Sequence, residues 1–294
     1  MTNLAFIGLG IMGSPMAVHL QRAGYQVSGY SPSGRRAGPL VAAGGREARS
    51  VAEAADGAGI VAVMVPDSPD VEEVLSAVFA VASPGTLIID FSTIRPDVSA
   101  ALAAQARERG LRMIDAPVSG GEAGAKNAAL SIMAGGPAED VAAARPVLDA
   151  VGSTVMHVGR SGAGQTVKAA NQLIVGTHLQ VLAEALVFLE AHGVDTAAAL
   201  DVLAGGLAGS KVLDAKRANM TGRSFEPGFR IDLHHKDLGI VIDAARSAGV
   251  VTPVGAIVAQ LMGSARASGD GGLDHSALLR GVERLSGRSS GRTE

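Results

Sequence analysis

The sequence has 294 residues, of which 47% are hydrophobic, and its formal net charge is −3. A chain of this length and apolar content can bury a sizeable core and is expected to form two domains. The charge balance lacks the basic excess of a nucleic-acid-binding protein, so a small molecule is the expected partner. The absence of cysteine excludes disulfides and thiolate chemistry.

The first predicted strand, Leu4 to Ile7, leads into a glycine-rich turn and a helix. The turn reads Gly8-Leu9-Gly10-Ile11-Met12-Gly13. In such a turn the first glycine permits a tight bend, the second lets the backbone approach a pyrophosphate, and the third lets helix and strand pack closely. The pattern alone is a weak signal that also suits a plain turn. Its place between a strand and a helix predicts dinucleotide binding by residues 8–13.

The second predicted strand, Gln26 to Tyr30, ends without the Asp or Glu that would bind the ribose 2′-hydroxyl of NAD. Ser31, Ser33 and Arg35 follow, and hydroxyl and guanidinium groups suit a 2′-phosphate. This favours NADP over NAD, although the Arg35-Arg36 pair would equally suit a solvated helix start.

Further strands are predicted at Ile60 to Val65 and at Thr86 to Asp90, with a helix after each. Ligands of a doubly wound parallel sheet lie beyond the carboxyl ends of its strands. The residues expected beside the cofactor are therefore those at the two strand ends, Val65, Pro66, Ser92 and Thr93. Strands at Arg112 to Asp115, Leu130 to Gly136 and Ser153 to Val158 complete the predicted sheet.

A serine and two glycines, Ser119, Gly120 and Gly121, follow the strand that ends at Asp115. A hydroxyl and successive backbone N–H groups at a strand end can hold a carboxylate. An ordinary glycine-rich turn is the alternative.

A long apolar helix is predicted at about residues 163–192, and near its start it carries Lys168, Asn171 and Gln172. Residues three and four positions apart share a helix face, so the two amides can approach a group that the ammonium touches. Apolar surroundings disfavour the charged form of a lysine, which suits a proton donor. A lysine whose ammonium reaches the surface from a core helix is the alternative.

The same helix is long enough to raise the question of a membrane span. His178, Gln180 and Glu184 interrupt its apolar residues, so a buried helix is predicted instead. The N-terminus has no basic segment or cleavage site, which predicts a cytoplasmic protein.

The remaining pattern is helical, so we predict a dinucleotide-binding domain at residues 1–160 and an all-α domain at residues 161–294. Adjacent His234 and His235 diverge by about 100° on a helix, which argues against a metal site. Lys236 and Asp237 are interpreted as an ion pair or as cofactor contacts.

Five segments in this order resemble the β-hydroxyacid dehydrogenase family, which includes 3-hydroxyisobutyrate dehydrogenase and 6-phosphogluconate dehydrogenase. They are GLGIMGSPMA, DFSTIRP, DAPVSGG, GAGQTVKAANQ and FEPGFRIDLHHKDL. The segments AANQ, GGLAGSKVLDAK and DHSALL are most similar to the tartronate semialdehyde reductase branch. The resemblance covers nearly the whole chain and implies a Rossmann-type α/β domain, a long helix and an all-α C-terminal domain.

The resemblance implies NAD(P)H-dependent reduction of tartronate semialdehyde to glycerate, without a metal, by a homodimer or homotetramer. It implies that Lys168 exchanges the proton, that Ser119, Gly120 and Gly121 hold the substrate carboxylate, and that Asn171 and Gln172 orient the substrate. Thr93, Lys236 and Asp237 would contact the cofactor.

The alternatives within the family are 3-hydroxyisobutyrate dehydrogenase and glyoxylate or succinic semialdehyde reductase activity, and the alternative outside it is a non-catalytic dinucleotide sensor. The chain departs from the family pattern at His19, Pro32 and Ala128, where relatives often carry Asn, Arg and Gly.

Overall fold

The computed structural model describes residues 2–31 and 36–288. These fall into two units, Met1–Lys168 and Ala169–Glu294. The division lies inside a continuous helix, eight residues after the boundary predicted at residue 160.

The described strands of the first unit form one sheet. They are β1 (Asn3–Ile7), β2 (Gln26–Tyr30), β3 (Arg46–Glu47), β4 (Ile60–Val63), β5 (Leu87–Asp90), β6 (Arg112–Asp115), β7 (Val118–Ser119), β8 (Leu130–Gly135) and β9 (Gly152–Gly159). Their order is β3-β2-β1-β4-β5-β6-β8-β7, with β9 beside β8. From β3 to β6 all neighbours are parallel, whereas β8 runs antiparallel to β6 and β7.

Alternate residues of the parallel strands enter two different cores. Leu4 and Phe6 of β1 pack in one apolar cluster, while Ala5 and Ile7 pack in another. Because successive side chains of a strand point to opposite faces, helices must cover both faces of this sheet. These helices are α1 (Gly13–Arg22), α2 (Gly38–Ala42), α3 (Val51–Ala55), α4 (Ser68–Val81), α5 (Pro96–Glu108), α6 (Gly121–Lys126) and α7 (Ala138–Asp149). The predicted Rossmann-type α/β fold is confirmed.

The second unit is helical in its described part. Helix α8 (Ala163–Ala191) starts in the first unit and continues into the second, where it is followed by α9 (Thr196–Gly205), α10 (Lys211–Thr221), α11 (Ile231–Ser247), α12 (Pro253–Ala265) and α13 (Leu278–Leu285). A π-helical segment, Arg266–Asp270, and a 3₁₀ turn, His275–Ala277, lie between α12 and α13. One apolar cluster, which includes Leu179, Leu186, Leu238 and Met262, joins these helices.

Among the described residues, α8 is the one helix long and apolar enough to cross a membrane by length and composition alone. The core helix of a soluble protein passes the same test. Leu179, Ala183 and Leu186 of α8 are fully buried within the helical unit, which agrees with the predicted core helix.

Candidate active site

The glycine turn between β1 and α1 has two glycines that are closed in by protein and one that faces open space. A Cβ on Gly13 would overlap the carbonyl oxygen of Gly8 and lie 2.9 Å from the Phe6 ring. Gly8 has a φ of +104° and lies against the backbone of Met64, so a side chain is excluded there as well. A Cβ on Gly10 would meet nothing within 4 Å. This is the arrangement that close approach of a phosphate to the backbone requires.

The amide groups of the turn are also available to an anion. The N–H groups of residues 10–13 donate to no backbone carbonyl among the described residues, and Met12 caps α1 without a side-chain hydrogen bond. Such N–H groups and the helix dipole favour a phosphate at this position. A cleft of about 410 Å³ opens beside Gly10 and Ile11 and is also lined by Arg22, Arg36 and Lys126. The residues present therefore fit the pyrophosphate of a dinucleotide.

The loops that follow β4 and β5 are hydrogen-bonded to each other. The Val65 amide donates to the Ser92 hydroxyl at 3.0 Å, and the Ser92 amide donates to Asp90 at 2.9 Å. Val65 and Thr93 are half-buried, and Pro66 is exposed. Since β4 and β5 are parallel neighbours, the structure brings these predicted cofactor contacts to one edge of the sheet.

Gln165, which the sequence reasoning did not single out, fixes the loop that carries Thr93. Its side-chain oxygen accepts from the Ile94 amide at 3.1 Å, and its side-chain nitrogen donates to the Ser92 carbonyl at 2.8 Å. Gln165 is 1% exposed, so both bonds are shielded from water. Its position in the GAGQTVK segment, three residues before Lys168 and on the same helix face, is the sequence signal that could have identified it.

The start of α8 is capped by Asp115, the last residue of β6. Its carboxylate accepts from the amides of Gly162 at 2.7 Å and Gln165 at 3.0 Å. Side chains on Gly135 or Gly164 would each place a Cβ 2.7 Å from this carboxylate, so both positions need glycine. Burial raises the pKa of Asp115 above its usual range, although these amides act in the opposite direction.

Lys168 lies on the same helix, and its ammonium is buried. Only 7% of the residue is exposed, and Nζ donates to the carbonyl oxygen of Val118 at 2.8 Å. A lysine whose head reaches bulk water would not make this contact. The ammonium therefore lies beside the segment predicted to hold a carboxylate, which starts one residue after Val118.

The segment predicted to hold a carboxylate, residues 119–121, adopts a conformation that only glycine takes readily. Gly120 has a φ of +133° and Gly121 a φ of +61°. Neither of their amides donates to a backbone carbonyl among the described residues, and a Cβ on Gly121 would meet nothing within 4 Å. The Ser119 side chain is half-buried. The Ser119 hydroxyl and the two glycine amides can donate hydrogen bonds to an acceptor such as a carboxylate.

Asn171 and Gln172, one turn after Lys168, are joined in a polar network of the helical unit. The Asn171 amide nitrogen donates to the Gln172 side-chain oxygen at 2.9 Å, and the Gln172 side-chain nitrogen donates to Asp237. Asp237 pairs with Lys236 at 2.8 Å. The predicted ion pair between Lys236 and Asp237 is present.

The described residues contain no group of three or more side chains suited to a metal ion. His235 lies near Gly263 of α12, whereas His234 points to Gln172 and to His275. The adjacent histidines thus diverge as predicted.

The positions that depart from the family pattern and the segment after β2 are only partly within the described residues. Pro32, Ser33 and Arg35 lie outside the described residues, and Ser31 ends the described part of that segment. Nε2 of His19 lies 2.9 Å from the Lys126 carbonyl oxygen, so α1 bonds to the end of α6 through this residue. Ala128 has a φ of +50°, which explains why a glycine suits its position better.

A larger cavity of about 650 Å³ lies elsewhere in the first unit, between α5 and the start of α8. Its lining includes Arg107, Arg160 and Val167 but none of the predicted site residues.

Two family profiles match the chain. The NAD binding domain of 6-phosphogluconate dehydrogenase matches residues 3–159, and the NAD-binding domain of NADP-dependent 3-hydroxyisobutyrate dehydrogenase matches residues 162–282. The chain therefore binds a nicotinamide dinucleotide.

Individual relatives are similar over nearly the full chain. The 2-hydroxy-3-oxopropionate reductase of Escherichia coli is 40% identical, over 96% of this chain and 97% of that protein. The NAD-dependent L-serine dehydrogenase of Pseudomonas aeruginosa is 37% identical, over 89% of this chain and 91% of that protein. The solved structure of a Mycobacterium tuberculosis 3-hydroxyisobutyrate dehydrogenase with L-serine is 34% identical, covers 95% of this chain and 98% of its own, and superimposes with a TM-score of 0.87.

Proposed function

The chain belongs to the 3-hydroxyisobutyrate dehydrogenase-like family of NAD(P)-dependent β-hydroxyacid dehydrogenases, and from that premise we propose that it reduces tartronate semialdehyde (2-hydroxy-3-oxopropionate) to glycerate. The observation that carries the proposal is the buried ammonium of Lys168, which donates to the carbonyl of Val118 directly before Ser119, Gly120 and Gly121. The E. coli relative carries the name of this reductase activity.

Lys168 is the proton donor in this proposal. When bound, a nicotinamide would supply the hydride for the aldehyde carbon, and the carbonyl oxygen would take up the resulting negative charge. Nζ of Lys168 gives its proton to that oxygen and takes it back in the reverse direction. The Val118 carbonyl holds Nζ by a 2.8 Å hydrogen bond, so the donor is oriented before the substrate arrives.

The substrate carboxylate is held by Ser119 and by the amides of Gly120 and Gly121. A carboxylate accepts hydrogen bonds from such groups, and this role is supported because the two glycine amides donate to no backbone carbonyl in the described part of the chain. Asn171 and Gln172 orient the substrate from the next turn of α8. This division of roles requires a substrate with a carboxylate close to its aldehyde, as a semialdehyde has.

We further propose that the residues of the glycine turn, together with Val65, Pro66 and Thr93, hold the dinucleotide, and that Lys236 and Asp237 also contact it. NADP is preferred in this proposal. Arg36 lines the cleft beside Gly10 and Ile11 together with Arg22, and guanidinium groups suit a 2′-phosphate. Ser31, Ser33 and Arg35 complete the proposed phosphate contacts.

Substitution of the lysine tests the mechanism. Lys168→Ala is expected to lower kcat by ~10²-fold or more, because a general acid typically contributes 10²–10⁴-fold, while the Kd for the dinucleotide stays close to that of the wild type. Stopped-flow absorbance at the nicotinamide band measures the first quantity, and fluorescence titration the second. Lys211→Ala, at an exposed lysine that starts α10, is the matched control. Wild-type turnover by Lys168→Ala would refute the assignment.

A panel of substrates distinguishes the related activities. Tartronate semialdehyde, succinic semialdehyde and glyoxylate are compared as oxidants of NADPH and NADH, and 3-hydroxyisobutyrate and L-serine as reductants of the oxidised forms. The last two are included because relatives carry those activities or that ligand in their names. The proposal requires the highest kcat/KM for tartronate semialdehyde. A chain that binds NADPH but turns over none of these compounds would be a dinucleotide sensor.

We also propose that the protein is a cytoplasmic homodimer or homotetramer. Val167, Ile174, Val181 and Phe188 of α8 are 38%, 54%, 51% and 62% exposed and recur every seven residues. This spacing places them on one face of the helix, where a second copy would cover them. Light scattering of the purified protein measures the oligomer size.

A further inference from the structure

Two buried histidines of the helical unit are joined by a hydrogen bond. His234 of α11 is fully buried and His275, in the 3₁₀ turn before α13, is 6% exposed. Their Nδ1 atoms lie 3.0 Å apart, and Nε2 of His234 lies 3.1 Å from the backbone carbonyl oxygen of Gln172. The Phe229 ring packs edge-on against both imidazoles, with centroids 5.7 and 5.4 Å away. The pair thus connects the C-terminal segment to the turn of α8 that follows Lys168.

The partners of the pair determine where its protons lie. A carbonyl oxygen only accepts, so Nε2 of His234 carries hydrogen, and Nδ1 of the neutral ring is then an acceptor. With His234 neutral, His275 therefore donates through its own Nδ1–H. Burial lowers the pKa of His275 well below its usual value, which agrees with a neutral ring. A proton on Nδ1 of His234 would reverse this hydrogen bond, because the neutral His275 ring can carry its hydrogen on Nε2 and accept through Nδ1.

His275 is held in place by its own backbone and by the preceding residue. Its amide donates to the Phe229 carbonyl at 2.9 Å. Asp274, fully buried, accepts from Lys216 at 2.9 Å and from the amides of Gly228 and Phe229 at 3.0 Å. The donor end of the pair therefore has a fixed position in the helical unit.

The acceptor end holds Gln172 by its backbone. The approach of His234 depends on Gly176, because a Cβ on that glycine would lie 3.2 Å from Nε2. The side chain of Gln172 is bound by Asp237, which lies on the same helix as His234, one turn further on. Residues of α11 thus hold Gln172 by its backbone carbonyl and by its side-chain nitrogen. The side-chain oxygen of Gln172 in turn accepts a hydrogen bond from Asn171.

We propose that His234 and His275 are positioning residues for the substrate, which act by fixing Gln172 and, through it, Asn171. The inference rests on the proposed function, in which these two amides orient the semialdehyde. Neither histidine touches the reacting atoms. Their contribution is to limit the positions of two amide groups that would otherwise move with their side-chain torsions, so that the loss of the pair raises KM more than it lowers kcat.

Two substitutions at His275 separate this role from simple packing. Asn carries an amide nitrogen at about the place of Nδ1 and can donate to His234, whereas Phe keeps the ring volume but has no donor. We expect His275→Phe to raise the KM for the semialdehyde by roughly 5- to 10-fold, the effect of one lost hydrogen bond, with the Kd for NADPH unchanged, and His275→Asn to stay within about 2-fold of the wild type. A residue that only fills space would give the opposite ranking. The opposite ranking, or equal KM values for both variants and the wild type, would overturn the inference.

Gly176→Ala perturbs the same contact from the other side and serves if His275→Phe does not fold. Its added methyl group displaces His234 from the Gln172 carbonyl, so the same rise in KM is expected. His235→Phe is the control, because His235 neighbours His234 on α11 but lies near Gly263 of α12. It should leave KM unchanged.

The outcomes also separate this inference from the proposed function. Wild-type protein that reduces no semialdehyde refutes the proposed function and, with it, the positioning role. Active wild-type protein with unaltered KM in the Phe and Gly176→Ala variants refutes only the positioning role. Nitrogen-15 NMR of the histidine rings adds a readout independent of activity: a hydrogen on Nε2 of His234 and a neutral ring at His275 are expected at pH 7. A His234 ring without hydrogen on Nε2 would overturn the inference.

Discussion

Alanine at two glycines of the first turn should separate folding from cofactor binding. In Gly13→Ala the new methyl group meets the Gly8 carbonyl oxygen and lies 2.9 Å from the Phe6 ring, so backbone must move. Overpacking of this kind costs about 2–3 kcal/mol. In Gly10→Ala the methyl group meets no protein atom within 4 Å, and Gly10 is not one of the glycines with positive φ. Its free energy of unfolding should stay within about 0.5 kcal/mol of the wild type.

The affinity for the dinucleotide should show the opposite order: Gly10→Ala should be the variant with the larger loss of affinity. The methyl group of Gly10→Ala enters the open space at the cleft, where a pyrophosphate would approach the amides of residues 10–13. Exclusion of the phosphate from those amides should raise the Kd for NADPH by ~10-fold or more, which corresponds to about 1.4 kcal/mol.

Urea unfolding followed by circular dichroism gives the stabilities, and titration of NADPH fluorescence gives the affinities. Gly272→Ala is the control, because that glycine also faces open space and has no positive φ but lies far along the chain from the turn. An unchanged Kd in Gly10→Ala would refute the assignment of this turn to the pyrophosphate. An equal loss of stability in Gly10→Ala and Gly13→Ala would refute the reasoning from open and closed space.

Two further predictions concern the start of α8. Burial raises the pKa of Asp115, so the folded protein binds this proton more tightly than the unfolded chain. The stability that comes from the proton is present below the usual pKa of 3.8 and is lost as the pH rises through the folded-state pKa. The wild type should therefore gain stability relative to Asp115→Asn as the pH falls from 7 toward 4 in urea unfolding series, and a slope of the other sign would contradict this. Gln165→Leu should destabilise the protein by about 2–4 kcal/mol, because it leaves the Ile94 amide and the Ser92 carbonyl buried without their partner. A loss below about 0.5 kcal/mol in thermal or urea unfolding would show that water replaces the side chain.

Much of the fold follows from local patterns in the sequence. The strands predicted at Gln26 to Tyr30 and Arg112 to Asp115 have the same bounds in the structure, and a helix, α4, follows β4 as predicted. These elements have strong signals, such as the cap Asp67 with Pro69 at the first turn of α4. The short elements α2, β3, α3, β7 and α6 were not predicted, because two to six residues are too few to show a period.

The direction of β8 is a property of pairing, and local patterns do not contain it. A strand at Leu130 to Gly136 was predicted, but its antiparallel pairing with β6 and β7 joins residues that are distant along the chain. An apolar run looks the same in a parallel and an antiparallel strand when both of its faces are buried.

The residues of the site are predictable where a motif names them, whereas the contacts that Asp115 and His234 make with residues far along the chain are not. Lys168 and the Ser119 to Gly121 segment were identified from sequence, and the structure brings them together through Val118. Asp115 supports α8 from a strand 47 residues before Gly162, and His234 meets a histidine 41 residues further on. An isolated carboxylate or histidine has no spacing that reveals such a partner.

The carboxylate of Asp115 occupies the position of an anion at the start of α8. The Gly162-Ala163-Gly164 segment before α8 looks, in sequence, like a second turn for an external anion. The glycines instead pack around the carboxylate of Asp115, so the partial positive charge at this helix end is already balanced by a residue of the chain. The start of α8 thus holds an internal carboxylate and positions the lysine, whereas the start of α1 has open space at Gly10, where a Cβ would meet no atom within 4 Å.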